Sequence, residues 1–344
     1  MLRLYSAAFL LLIPLSYSAA SHENWPEFRG PTGQGLYAGK DLPIDWSTAK
    51  NVRWQQAIPG KGWSSPILFD GRIYLTTAVP EGSGKEAHQS LRALSLDGDT
   101  GKILWDKEVI RQDAAAAPSI HGKNSHASPT PLTDGQRLYV HFGHEGVACL
   151  GLDGTILWTN RDLSYQPVHG NGGSPVLAAG KLIFSCDGGD KQFVVALDCL
   201  NGKVVWKTLR KSASMQKFSF HTPLVIDVAG KEQVVSAGSG VIAGYDLETG
   251  REIWRVRHGG YSVIPRPVHG HGLVFLSTGY DTAELLAIRP DGQGDVTDTH
   301  IVWKTRRSAP NTPSPLLVGN ELYLVSDAGT ASCLDAQTGK VYWQ

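Results

Sequence analysis

Seven side chains able to bind or ligate sit just before, or within, one repeated position of the chain: Trp63, His126, His169, Asn171, His221, Arg266 and Asn311. That position is a small or polar residue, then proline, then an apolar run. It occurs at Ser65-Pro66, Ser128-Pro129, Ser174-Pro175, Thr222-Pro223, Arg266-Pro267 and Ser314-Pro315. Polar, aromatic and cationic groups gathered at one place could grip a peptide, a sugar or an anionic small molecule. The three histidines could also hold a transition metal, although a wet channel mouth needs no ligand to explain its polar residues. Familiar catalytic patterns are absent: there is no G-x-S-x-G elbow and no H-E-x-x-H zinc helix. The stretch from Gly82 to Glu86 is only loosely like a phosphate loop, lacking the following Ser or Thr, and reads as a hairpin tip. Asp291, Asp295 and Asp298 could offer oxygens to calcium, but their spacing is not that of an EF-hand, and an ordinary polar hairpin is the simpler reading.

These residues are far apart in sequence, so they can act together only if a repeated element brings them to one axis. Such a repeat exists. SLDGDTGKILW ends at Trp105, ALDCLNGKVVW at Trp206, YDLETGREIW at Trp254 and CLDAQTGKVYW at Trp343. A shortened variant ends at Trp158 and an expanded one at Trp303, so the tryptophans are 53, 48, 48, 49 and 40 residues apart. Between them, short runs of alternating apolar residues are separated by Gly, Asn and Asp turns, four runs to each repeat, which is the hairpin signature. The expectation is an all-β chain: a β-propeller of four-stranded antiparallel blades, with six recognisable repeats. In that fold the first strand of each blade lines the central channel and ligand sites gather at one mouth. The tryptophans are read as structural, each filling the wedge between neighbouring sheets and donating its indole N–H to a turn.

The pattern L-D-x-x-T-G-x-x-x-W resembles the tryptophan-docking motif of quinoprotein-type propellers, over residues 51–344. That group includes the pyrroloquinoline quinone alcohol and glucose dehydrogenases and, in the outer-membrane β-barrel assembly machinery, a propeller lipoprotein. The phrases WPEFRGP, KNSHASPTP and HFGHEGVACL are similar to those of exported bacterial quinoprotein-repeat propellers. The resemblance implies a ring of eight blades, and the segment NVRWQQAIPG around Trp54 reads as an orphan outer strand completing one of them. On this reading the chain is a C-terminally truncated eight-bladed propeller. The dehydrogenases of the group hold quinone and calcium in the central funnel against a vicinal disulfide. This sequence has no Cys-Cys pair, so neither cofactor is expected and enzymatic activity is not carried over. The assembly lipoprotein is anchored through a lipidated cysteine that is also missing here.

The remaining features bound the function. There are 32 basic and 32 acidic residues and no basic stripe, which argues against nucleic acid. Arg3, the apolar run Ala7 to Leu15 and Ser18-Ala19-Ala20 read as a cleaved signal peptide over residues 1–20. The apolar run is too short to span a bilayer, which needs roughly 20 residues. A periplasmic or secreted protein without a transmembrane segment is expected. Residues 21–50 read as an N-terminal extension in which Trp25, Phe28 and Arg29 pack on the ring or dock a partner, and residues 51–344 as the propeller. Cys149, Cys186, Cys199 and Cys333 show no metal or redox spacing and read as free buried thiols. The function expected is a non-enzymatic scaffold of the cell envelope, monomeric, binding other envelope proteins or a small ligand. The alternatives are a quinone-dependent oxidoreductase and, from Trp63 and Tyr261 near the mouth, a carbohydrate-binding propeller.

Overall fold

The computed structural model describes residues 23–40, 42–82, 88–114, 120–281 and 283–344. The candidate leader and most of the Gly82–Glu86 loop lie outside the described residues. Among those described, the only helical element is one short turn, Gly143–Glu145. Six sheets follow one another at 67–112, 132–160, 176–209, 224–257, 268–305 and 316–343, here blades 1 to 6; each has four antiparallel strands paired in chain order, and blade 4 gains a fifth. This is the β-propeller that the repeat predicts.

Apolar side chains occupy alternate strand positions, so each blade has two faces to bury. Five buried clusters result, and each draws on two neighbouring blades. Ile67, Tyr74 and Leu91 of blade 1 pack with Leu138 and Val140 of blade 2. Tyr139 and Cys149 of blade 2 pack with Phe184 and Val195 of blade 3. The same holds for blades 3 and 4, 4 and 5, and 5 and 6. The core is thus a set of wedges between sheets, each fully buried Leu, Val or Phe contributing roughly 1.5–3 kcal/mol.

The tryptophan motif has a precise geometry. In every blade the third and fourth strands slip register immediately after the residue facing the tryptophan. The facing residues are Ser95, Cys149, Ala196, Gly244, Ala287 and Cys333, all small, which leaves room for the ring to turn toward the next blade. Two of the four cysteines are therefore spacers opposite an indole. All four are free and buried, and burial pushes the Cys149 thiol up to about 12. Across the wedge, the Nε1–H groups of Trp105, Trp158, Trp206 and Trp303 each donate, at 3.0 Å, to a turn carbonyl of the following blade: Leu152, Cys199, Leu247 and Ala336. Trp54 docks on blade 1 in the same way, through the Gly98 carbonyl at 3.0 Å. The turn is prepared to receive the ring. Asp246 Oδ1 accepts from the Thr249 N–H and hydroxyl at 2.8 and 2.6 Å, and Gly250 then adopts φ +68° with its α-carbon bare against Trp206. Here glycine is required twice, by the dihedral and by the ring.

Trp254 departs from the pattern. Its Nε1–H donates to Gln233 Oε1 within its own blade, at 2.8 Å, and the side chain is completely buried. The cause is the expanded repeat that follows. Gly294–Asp295 pairs in parallel with the fourth strand of blade 4, Glu252–Arg257, making a fifth strand that covers the position where the next blade's turn would sit. Asp295 is held there by Arg257 at 2.8 Å and by the Thr297 hydroxyl at 2.7 Å. The acidic loop is thereby occupied in edge-strand pairing and blade 4–5 docking. Trp343, in the last strand, is half exposed.

Candidate functional site

The first strands of the blades are short, and those of blades 3 and 4 and of blades 5 and 6 pack against each other. The backbone just ahead of them builds a cavity of about 720 Å³. Its deepest ring is made of hydroxyls: Ser65, Thr130, Ser174, Thr222 and Ser314, each two residues before its first strand. Four of these hydroxyl oxygens accept a backbone N–H from the preceding blade. Ser65 N–H donates to Thr130 Oγ1 at 3.0 Å, Thr130 N–H to Ser174 Oγ at 2.9 Å, Ser174 N–H to Thr222 Oγ1 at 2.9 Å, and Arg266 N–H to Ser314 Oγ at 2.9 Å. The proline after each hydroxyl residue has no N–H that would need a partner at the crowded axis.

This ring corrects the sequence register in blade 2. The equivalent residue there is Thr130, followed by Pro131, not Ser128-Pro129: the run Ser128-Pro129-Thr130-Pro131 offers two choices, and only Thr130 lies two residues before the strand Leu132–Thr133. Counting back from the apolar run would have found it. In blade 5 Arg266 replaces the hydroxyl.

Two residues up the chain lies a second layer: Trp63, Ser128, Gly172, Phe220, Ile264 and Thr312, all lining the cavity. The period is that of extended backbone, in which alternate residues share a face. Above them the rim carries His121, Lys123, Asn124, His169, Gln216, Phe218, Tyr261 and Tyr280. Rings from four successive blade connections, and Tyr280 from the hairpin between the second and third strands of blade 5, touch along it: His121 to His169 at 5.5 Å, His169 to Phe218 at 5.3 Å, Phe218 to Tyr261 at 5.8 Å and Tyr261 to Tyr280 at 6.4 Å between centroids. The first three contacts are edge-to-face, the favoured arrangement of aromatic quadrupoles. Trp63 completes the circle from blade 1 and is 55% exposed. His169 and Ser262, both lining the cavity, hold left-handed φ values of 67° and 53°. Such non-glycine conformations cost of order 1–3 kcal/mol and collect at functional sites.

Of the seven residues singled out by sequence, the structure brings Trp63 and His169 to this cavity. Asn171 and His221 line a separate small polar cavity behind it, with His141 and Asp187. His221 occupies an odd position on the extended segment and so points away from the channel. Its Nδ1 contacts the Pro265 carbonyl at 3.1 Å, and burial pulls its pKa down to about 3. His126 is half-buried beside His144 and Glu145, and desolvation lowers its pKa. The Asn311 N–H donates to Asp327 at 2.6 Å. Arg266 is 2% exposed and turned toward the N-terminal segment, where Glu27 lies at 3.3 Å and the Phe28 carbonyl accepts from it. Desolvation outweighs Arg266 at Glu27, raising that carboxyl above its ordinary value. Among the described residues no group of three His, Cys, Asp or Glu is placed to hold a metal ion.

The N-terminal segment closes the lower end. Trp25 pairs with Leu68 of blade 1, Pro26 O accepts from Thr133 N–H of blade 2, and Gln34 Oε1 accepts from His269 N–H of blade 5. Arg29 Nη2 donates to the Pro315 carbonyl of blade 6 at 2.8 Å. Phe28, between them, lines the cavity. Sequence reading expected this segment on the ring; that it crosses the axis was not readable.

A family model described as outer membrane protein assembly factor BamB matches residues 36–161 and 92–344. The chain belongs to that family. Among solved structures it is similar to BamB from Moraxella catarrhalis, at 17% identity and TM-score 0.51, covering 80% of this chain and 79% of that one. Among curated proteins it is similar to methanol dehydrogenase [cytochrome c] subunit 1 of Methylorubrum extorquens, 27% identical over 198 residues. That match covers 56% of this chain and 22% of the dehydrogenase subunit. Polyvinylalcohol dehydrogenase of a Pseudomonas species is 27% identical over 198 residues, covering 51% of this chain and 28% of that enzyme. The chain therefore spans about a quarter of the length of the curated relatives it matches.

A quinone with calcium, the cofactor pair that the dehydrogenase resemblance implies, can be tested against the lining. Calcium takes several oxygen ligands, carboxylates foremost. Among the described residues, no Asp, Glu or Cys lines this cavity. The donor set does not fit calcium, and no step through a quinone is derived.

Proposed function

We propose that this protein is a non-catalytic binding module of the cell envelope whose guest sits in the axial cavity. One observation carries the reading: among the described residues the cavity presents aromatic faces, hydroxyls and the imidazoles of His121 and His169, but no carboxylate or thiol to act as a nucleophile or to hold a hard cation. Such a lining buries apolar surface and orients a guest by a few polar groups, as ligand sites do. The apolar leader over residues 1–20 and the family's description as an outer membrane assembly factor support an exported location, and rigid repeat surfaces suit protein partners. No helix among the described residues is long and apolar enough to cross a membrane. A second reading, that the guest is a carbohydrate, is favoured by the exposed ring of Trp63 and by Tyr261. The test is a thermal-shift screen of a chemically diverse small-molecule library on the wild type and on Trp63→Ala. Hits that stabilise only the wild type are expected; a screen without Trp63-dependent hits overturns the cavity as a guest site. Reproducible dye reduction after loading with pyrroloquinoline quinone and calcium would overturn the non-catalytic reading.

A further inference from the structure

We infer that the guest is an acidic oligosaccharide, a short uronate-bearing chain; this rests on the cavity being a guest site. Three features of the lining lead there. The first is charge: Lys123 is exposed at the rim and, histidines aside, is the one charged side chain among the described residues lining the cavity. The nearest carboxylates lie behind the described lining and are engaged there, Asp327 by Thr312 and Asp281 by Tyr261, so Lys123 is the charge turned to a guest and favours an anion.

The second is the hydroxyl ring. The oxygens of Thr130, Ser174, Thr222 and Ser314 each accept a backbone N–H. A hydroxyl has one proton to give, and among the described residues no acceptor takes it from these four. The ring therefore offers O–H donors, which suit a guest rich in acceptor oxygens. The same bonds argue against a peptide. Strand addition needs unpaired backbone groups on an exposed edge, and here Ser65, Thr130, Ser174 and Arg266 have already given their N–H groups to the next blade.

The third is the aromatic arc. Its rings come from four blade connections and one blade 5 hairpin and stand 5.3–6.4 Å apart, a spacing comparable with one pyranose unit. Pyranoses stack their C–H faces on such rings while their edges remain available for hydrogen bonds. Gln216 also lines the cavity and brings an amide donor and acceptor, while the Asn124 amide is engaged by the His169 carbonyl, the Ser125 N–H and the Ser128 hydroxyl.

The experiment is isothermal titration of the full chain with three probes of matched length: an oligogalacturonate, an oligomannuronate and neutral maltotriose. Each is run on the wild type, Trp63→Ala and Lys123→Ala. Trp63 and Lys123 are exposed, so both variants fold, which circular dichroism checks. The expected result is uronate binding at least tenfold tighter than maltotriose, weakened about tenfold by Lys123→Ala and lost with Trp63→Ala. Equal affinity for uronates and maltotriose, or uronate binding indifferent to Lys123→Ala, overturns the acidic assignment while leaving the site a sugar site. No saccharide binding, together with Trp63-dependent hits in the library screen, overturns the saccharide and keeps the guest site. No saccharide binding without such hits removes both.

Discussion

Gly250 and Gly272 share a φ of 68°, yet one faces an indole and the other open space. Replacing each by alanine separates the dihedral cost from the cost of disturbing a docked tryptophan. Both variants force an L-residue into the left-handed region, at roughly 1–2 kcal/mol. At Gly272 nothing lies within 4 Å of the added methyl, so the cost stops there. At Gly250 the methyl would stand 2.5 Å from Cδ2 and Cε3 of Trp206, so the ring must move. Overpacking of this kind adds about 1–3 kcal/mol. A displaced ring also strains the bond to the Leu247 carbonyl, worth about 1 kcal/mol. Gly250→Ala should therefore lose roughly 3–6 kcal/mol against 1–2 kcal/mol for Gly272→Ala. Urea unfolding followed by tryptophan fluorescence measures both through the midpoint and slope. Equal losses would refute the account of the motif as a socket for the neighbouring indole.

The pH profile carries a second prediction. Burial lowers His141 to about 4, His221 to about 3 and His258 to about 4. Below about 6.5 the unfolded imidazoles bind protons that the folded ones refuse, so this stability is present at neutral pH and lost on acidification. Asp187, raised by burial to about 6 despite Arg210, acts oppositely, since its folded form is protonated first as pH falls. Three groups against one leave a net loss of about 3 kcal/mol per unit near pH 5, and a flat denaturation midpoint between neutral pH and pH 5 would contradict it. Arg266→Met should cost about 3–5 kcal/mol by stranding Glu27 in a buried site, with part restored in Arg266→Met/Glu27→Gln; thermal unfolding of the two variants decides. Deleting residues 291–298 removes the fifth strand of blade 4 and should shift Trp254 emission to the red and open it to iodide quenching. Unchanged emission would show that another element buries that indole.

How much could be read from sequence followed the range of the interactions. The blades were legible because each is local: alternating residues, an Asp-x-x-Thr-Gly turn and a tryptophan within one repeat. That the indole N–H would meet a turn across the wedge was legible too, and it holds for Trp105, Trp158, Trp206 and Trp303. The cavity was legible in kind, since Trp63 and His169 were placed at it, but not in register. The doubled Ser-Pro-Thr-Pro stretch hid Thr130, and the odd–even alternation that turns His221 inward needs the strand start fixed to one residue. Phe218 and Phe220 of a blade connection and Tyr280 of a blade 5 hairpin are ordinary aromatic residues, and nothing in their own surroundings marks them as a shared rim. The exceptional docking of Trp254 had a cue in the expanded repeat before Trp303, but pairing an insertion to the previous blade's edge is a tertiary choice. Arg266 was conspicuous as a substitution in a column of hydroxyls; its partner Glu27 lies 239 residues away.

That separation bears on how the ring assembles. Contacts between Arg29 and Pro315, or Glu27 and Arg266, close loops of 286 and 239 residues, whereas each indole docks within about one repeat. The entropy of loop closure rises with length, and non-local pairing delays folding. Neighbouring blades can therefore zip together in the order of translation, while the crosswise clasp waits until blades 5 and 6 exist. Until it engages, the axial chamber has no floor, so the ability to retain a guest should arise last, as a sign that the whole wheel has been put together.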